Sequence, residues 1–128
     1  MNDKIIVTGS EGFIGRELVK HLLVEGRDVM RVDVALGHDL QDESVVCDIF
    51  SSNQASVLIN LFAFNDHVRP GEKRGTIFDL PLSSFRECMD VNVTALFSVC
   101  REFARANVNG QIINFGASTG VTSPRPDM

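Results

Sequence analysis

The chain has 128 residues, with 12 Lys and Arg against 17 Asp and Glu, and a formal net charge of −5. That length holds one domain, residues 1–128, with a real but modest core. The negative balance, without any run of like charges, argues against nucleic acid or an anionic membrane as the main partner and points to a small-molecule substrate. Hydrophobic residues make up 44% of the chain, yet no stretch approaches the roughly 18 apolar residues of a membrane span. The N-terminus lacks a signal-peptide pattern, so the sequence reads as cytoplasmic. Cys47, Cys88 and Cys100 are odd in number and include no C-x-x-C pair, which favours free thiols. His21, His38 and His67 show no ligand spacing either, and no metal site is expected.

Residues 4–8, Lys-Ile-Ile-Val-Thr, form a short β-branched run typical of a buried parallel strand. A helix is predicted over 13–25, where Ile14, Leu18 and Leu22 recur every four residues and Gly26 supplies the stop. The second strand, 28–32, delivers Asp33 to its carboxyl end. Between Asp33 and the Asp39-Leu40 pair there is room for only a turn, so the third strand is expected to be vestigial. A helix over 42–52, capped by Asp42, and a fourth strand over 56–60 follow.

Residues 61–81 show neither helical nor strand period and contain Pro70, Gly71, Gly75 and Pro81, a length usual in functional or mobile loops. The loop's position after a strand makes contact with substrate a reasonable role. Ser84-Phe85-Arg86-Glu87 reads as a capping box, and Met89, Val93, Leu96, Cys100 and Phe103 then mark one face of a long helix ending near Asn107. Asn109-Gly110 turns into a fifth strand over 111–115, and 116–128 reads as a loop. Strands alternating with helices imply right-handed crossovers and a doubly wound parallel α/β sheet in three layers, Rossmann-like.

The most specific chemistry lies in Thr8-Gly9-Ser10-Glu11-Gly12-Phe13-Ile14-Gly15, between strand and helix. A pyrophosphate binds where orphan N–H groups at a helix N-terminus converge and no Cβ blocks approach. Gly9 allows the turn, Gly12 lets phosphates come close, and Gly15 lets the helix pack on the strand. Asp33 lies 18 positions after Gly15, near the roughly 20 expected of the acid that binds the adenosine ribose hydroxyls. A carboxylate there repels a 2′-phosphate, and Glu11 adds to that repulsion, so NAD is favoured over NADP. Sites for S-adenosylmethionine also use a glycine turn but usually carry an acid before it, where this chain has Thr8.

With these residues in place the chain resembles the short-chain dehydrogenase/reductase superfamily over nearly its whole length. Thr8-Gly9-x-x-Gly12-x-x-Gly15 resembles the glycine motif of the extended branch and of some sugar-modifying members. Asp39-Leu40 resembles the pair beside the adenine. Asn60-Leu61-Phe62-Ala63 resembles the Asn-Asn-Ala-Gly motif with two replacements, which brings Leu61, Phe62 and Ala63 to the cofactor. Asp90-Val91-Asn92-Val93 is similar to the helical segment carrying the family's active-site asparagine, which implies a catalytic and cofactor-adjacent role for Asn92.

In that family a serine positions the carbonyl while a tyrosine, assisted by a lysine, moves the proton, a case of general acid/base catalysis coupled to hydride transfer. Ungapped alignment puts Ala117 at the serine position and Ser118 one place later, so Ser118 is the candidate serine. The Tyr-x-x-x-Lys motif is missing, for the chain contains no Tyr. The resemblance therefore implies the front portion of an NAD-dependent oxidoreductase, truncated after the fifth strand and inactive alone. An exposed strand edge and a helix without its neighbour predict self-association, as a dimer or larger homo-oligomer. A dinucleotide-binding module without chemistry and a nucleotide-sugar epimerase or dehydratase are the alternatives.

Overall fold

The computed structural model describes residues 3–65 and 76–117. Four strands pair in parallel in the order β2-β1-β3-β4, with β1 Ile5–Thr8, β2 Val29–Val32, β3 Val57–Asn60 and β4 Gln111–Asn114. Helices α1, Phe13–Val24, and α2, Glu43–Ser52, carry the chain between the first three strands. Helix α3, Leu82–Met89, runs through a π-helical stretch at Asp90–Ala95 into α4, Leu96–Ala106. The expected doubly wound α/β sheet is present, with one strand fewer. No vestigial strand lies between Asp33 and Asp42; a single 3-10 turn, Val34–Leu36, closes on Gly37 at φ +89°.

The period-2 alternation of β1 divides the core into two. Ile5 and Val7 pack with Val19 and Ile59 on the α1 side. Ile6 faces the other way, toward Val46, Phe50, Leu58, Val99 and Phe103 from α2, β3 and α4. There Phe50 and Phe103 meet edge to face, centroids 6.1 Å apart, the geometry that aromatic quadrupoles favour. Outside this core, Arg101 links α4 to Glu43 of α2 at 2.8 Å.

Local chemistry explains most helix boundaries. Gly26, at φ +77°, ends α1 as the left-handed residue of a Schellman turn, with Arg27 N–H donating to the Leu22 carbonyl at 3.0 Å. Asp42 caps α2, accepting from the Ser44 N–H at 2.9 Å. The capping box expected at Ser84 does not start a helix: α3 begins at Leu82 behind Pro81, and the reciprocal box sits instead at Thr76 and Asp79.

The expected single apolar face of the last helix is also corrected. The π turn inserts a residue into the helical repeat and rotates the succeeding turns by about 100°. Met89, just before that stretch, and Val93, within it, are exposed, and burial passes to Ala95, Val99 and Phe103.

Because α1 carries the chain from β1 to one neighbour, β2, and α2 carries it back past β1 to the other, β3, the carboxyl ends of β1 and β3 form the switch point of the sheet. Crevices for ligands open there in folds of this kind.

Candidate functional site: a cleft at the switch point

A cleft of about 310 Å³ opens at this point, lined by Gly9 and Gly12 after β1, Asp33 and Val34 after β2, His38 to Gln41, Leu61 to Phe64 after β3, and Glu87, Val91 and Ala95 from the α3–π segment. Of the residues singled out from sequence, Gly9, Gly12, Asp33, Asp39, Leu40, Leu61, Phe62 and Ala63 are thus brought together.

Two glycines are fixed by close approach. Gly9 has φ +67°, and a Cβ on it would fall on the backbone of Leu61 and Phe62, so it makes the turn and seats it against the end of β3. A Cβ on Gly15 would fall on the Gly9 carbonyl oxygen, so α1 packs on the turn only because Gly15 has none. Gly12 differs. Its ideal Cβ would meet just the Gly9 oxygen, at 3.3 Å, and Gly12 borders the cleft.

The amides at this end of α1 remain available. Gly12, the N-cap residue, provides no side-chain cap bond, and the first N–H groups of α1 have no intrahelical acceptor. Bare backbone, convergent donors and the positive end of the helix dipole are what a pyrophosphate requires, and the residues present fit one.

Asp33 is held in place by the main chain around it. Its Oδ2 accepts from the Glu11 N–H at 2.9 Å and its Oδ1 from the Ala35 N–H at 2.9 Å, which ties β2 to the glycine turn. Each carboxylate oxygen keeps further lone-pair capacity for a ribose hydroxyl. Asp39 borders the cleft while its Oδ1 accepts from the Gln41 N–H at 3.0 Å, and Leu40 is buried behind it.

Other singled-out residues lie elsewhere. Thr8 is fully buried and donates through Oγ1 to Asn60 Oδ1 at 2.8 Å. Asn60 Nδ2 then donates to Asn114 Oδ1 at 2.8 Å, so a side-chain ladder crosses β1, β3 and β4 in register. Phe13 and Ile14 are exposed. The Glu11 carboxylate accepts from Arg31 at 2.9 Å, so its charge is offset rather than bare, which corrects the expectation that it adds to the repulsion of a 2′-phosphate. Asn92 faces Phe64: its Nδ2 donates to the Phe64 carbonyl and its Oδ1 accepts the Phe64 N–H, both at 2.8 Å. Ser118 and residues 66–75 of the expected 61–81 loop lie outside the described residues.

Val34, His38, Gln41, Phe64, Glu87, Val91 and Ala95 line the cleft without having been singled out. The four-residue spacing of Glu87, Val91 and Ala95 was the one available signal. Three carboxylates, Asp33, Asp39 and Glu87, border the cleft, and among the described lining residues there is no Lys or Arg. No group of three or more His, Cys, Asp or Glu arranged to hold a metal ion occurs among the described residues. No helix among them is long and apolar enough to cross a membrane.

The chain is similar to several known proteins. The family described as NAD dependent epimerase/dehydratase matches residues 5–122. A short chain dehydrogenase/reductase of Aspergillus versicolor is 27% identical over 94% of this chain and 52% of its own length. A 2,5-dichloro-2,5-cyclohexadiene-1,4-diol dehydrogenase of Sphingobium indicum is 28% identical over 91% and 55%. The chain therefore spans about half the length of the curated relatives it matches.

Among solved structures, a small-chain dehydrogenase superposes with TM-score 0.80 at 20% identity, covering 97% of this chain and 64% of that one. A short chain dehydrogenase of Leptospira borgpetersenii with bound NAD+ gives 0.79 at 20% identity, covering 99% and 56%. A small-chain dehydrogenase in complex with NADPH gives 0.71 at 21% identity, covering 94% and 57%.

Proposed function

The chain belongs to the NAD dependent epimerase/dehydratase family, and from that premise we propose that it is the cofactor-binding portion, a single domain over 1–128, of an NAD-dependent short-chain oxidoreductase. The reaction is hydride transfer to or from a carbonyl or alcohol, with a sugar or sugar nucleotide as the small-molecule substrate. When bound, the nicotinamide supplies the hydride chemistry. The protein supplies position and electrostatics.

The observation that carries this reading is the union, in one cleft, of the Gly9–Gly12 turn with Asp33. The glycine turn and the first amides of α1 take the two phosphates. Asp33 takes the adenosine ribose hydroxyls, and Asp39 and Leu40, with Leu61, Phe62 and Ala63, border the adenosine. Among the described residues that line the cleft there are three carboxylates and no Lys or Arg, which favours the unphosphorylated ribose, since a 2′-phosphate brought there meets like charge. The names of the relatives support the oxidoreductase class, and the bound NAD+ and NADPH of two structural neighbours support a nicotinamide dinucleotide.

In the catalytic step Asn92 takes the place of the family's active-site asparagine and Ser118 positions the carbonyl. The proton requires a donor beyond these residues, because the 128 residues include no Tyr. Carbonyl reduction by the purified chain is accordingly expected to be absent. The description of the matched family favours a second reading, an epimerase or dehydratase that regenerates its cofactor. NADH that neither accumulates nor disappears as substrate is converted distinguishes it.

Calorimetric titration of NAD and NADP against the chain and against Asp33→Ala tests the binding reading. The expected result is a preference for NAD of tenfold or more that disappears in the variant, with both proteins folded by thermal melt. Equal affinity of the folded wild type for the two dinucleotides would overturn it.

A further inference from the structure

His38 grips the residue that the binding reading assigns to the ribose. The Asp33 N–H donates to His38 Nδ1 at 3.2 Å, and the His38 N–H donates back to the Asp33 carbonyl at 3.1 Å. These two bonds close a six-residue ring whose reversal is made by the Val34–Leu36 turn and by Gly37 at φ +89°. His38 is half-buried and borders the same cleft as Asp33.

The ring nitrogen does a job that no other group described near Asp33 performs. Asp33 follows the edge strand β2 in extended conformation, and its N–H has no acceptor in the 3-10 turn beyond it. The imidazole provides one. With Nδ1 accepting, the neutral ring carries its proton on Nε2. Both main-chain groups of Asp33 are thereby fixed to His38, while its carboxylate is held by the amides of Glu11 and Ala35. With the Leu36 N–H, which also donates to the Asp33 carbonyl at 3.0 Å, five hydrogen bonds set the position of a side chain that needs to present lone pairs to two ribose hydroxyls in one geometry.

We infer that His38 is a positioning residue for dinucleotide binding, acting through Asp33 by holding its backbone from both sides. The inference rests on the reading that Asp33 receives the adenosine ribose. Preorganisation of this kind acts on affinity by lowering the cost of ordering on binding. The ring acceptor is therefore coupled to the Asp33 carboxylate: with the carboxylate gone, there is nothing for His38 to position.

The test is a double-mutant cycle on NAD affinity, read by calorimetry on folded proteins. His38→Leu is expected to raise the NAD Kd about tenfold, whereas His38→Asn, whose Oδ1 lies near the place of Nδ1, stays within about threefold of wild type. In the Asp33→Ala background His38→Leu is expected to change the Kd less than twofold, a coupling that a general loss of structure does not produce.

Full additivity of the two substitutions, or wild-type affinity in His38→Leu, overturns the inference while leaving the ribose reading intact. Unchanged NAD affinity in Asp33→Ala overturns the ribose reading and this inference with it. Should His38→Leu fail to fold, imidazole 15N shifts of the wild-type chain with NAD decide: a proton on Nε2 and not Nδ1 supports the inference, and a proton on Nδ1 overturns it.

Discussion

Asn92 bonds both main-chain polar groups of Phe64, donating to its carbonyl and accepting from its N–H at 2.8 Å each, in the manner of a strand partner supplied by a helix. Cys88 Sγ, one turn earlier, lies 3.2 Å from the same amide nitrogen. The π turn at Asp90–Ala95 aims Asn92 at the segment after β3, so helix and cleft wall are one unit.

Asn92→Ala leaves both Phe64 groups without that partner. Each half-buried backbone group that loses a hydrogen bond costs about 1 kcal/mol. A fall in melting temperature of about 5 °C is expected by circular dichroism, together with weaker NAD binding, because Phe64 borders the cleft. Asn92→Asp, which keeps one acceptor, is expected to lie between the two.

Two glycines three residues apart are expected to behave differently. In Gly12→Ala the added methyl meets the Gly9 carbonyl oxygen at 3.3 Å, a tight contact that a small backbone shift relieves, and stands at the edge of the cleft. The melt should shift little while NAD affinity falls about tenfold or more. In Gly15→Ala the methyl collides with the Gly9 carbonyl, and the melt itself is expected to collapse. Parallel thermal scans and titrations separate these outcomes.

The cap of α2 gives a pH prediction. The Ser44 hydroxyl, then the Ser44 amide, with a lesser contribution from the Val45 amide, hold the Asp42 carboxyl below its ordinary value against the opposing effect of desolvation. A group whose folded pKa is depressed adds stability above its unfolded pKa, near 3.9, and that stability is lost as pH falls through the folded value. Asp42→Asn retains an acceptor for the Ser44 N–H without the charge. It is expected to melt near wild type at neutral pH and to lose less than wild type on acidification below about pH 4. Asp79, lowered in the same direction by the Thr76 amide and hydroxyl, adds to the acid limb in both proteins.

The edge strand β4 is exposed along its length, and Leu82, Phe85, Met89, Val93 and Phe97 stand exposed along the α3–π–α4 segment. Apolar surface of that extent beside an open strand edge favours association. Sedimentation of the purified chain is expected to show a species larger than the 14.1 kDa monomer.

The glycine turn and the elements around it were legible because they are local. Strand, glycine turn and helix succeed one another within twenty residues, and the spacing to Asp33 needs only the length of one helix and one strand. Where the sequence misled, a local rule met a tertiary one. The apolar stripe through Met89 and Val93 assumed an unbroken 3.6-residue repeat, and the π turn shifted its phase, so that Val91 and Ala95 continue the cleft-lining row begun by Glu87. Glu11 read as a bare charge because its partner Arg31 lies twenty residues away, on a strand that is adjacent only after folding. The His38 ring bond needs the reversal at Gly37, which no periodicity announces.

The central claim is that the dinucleotide lies on the turn after β1, against Asp33. Amide 1H–15N spectra of the labelled chain titrated with NAD test it directly. The largest shifts are expected at Gly12, Phe13, Ile14 and Asp33, saturating together. Saturable shifts confined to α3, α4 or β4, with those four amides unmoved, would contradict it.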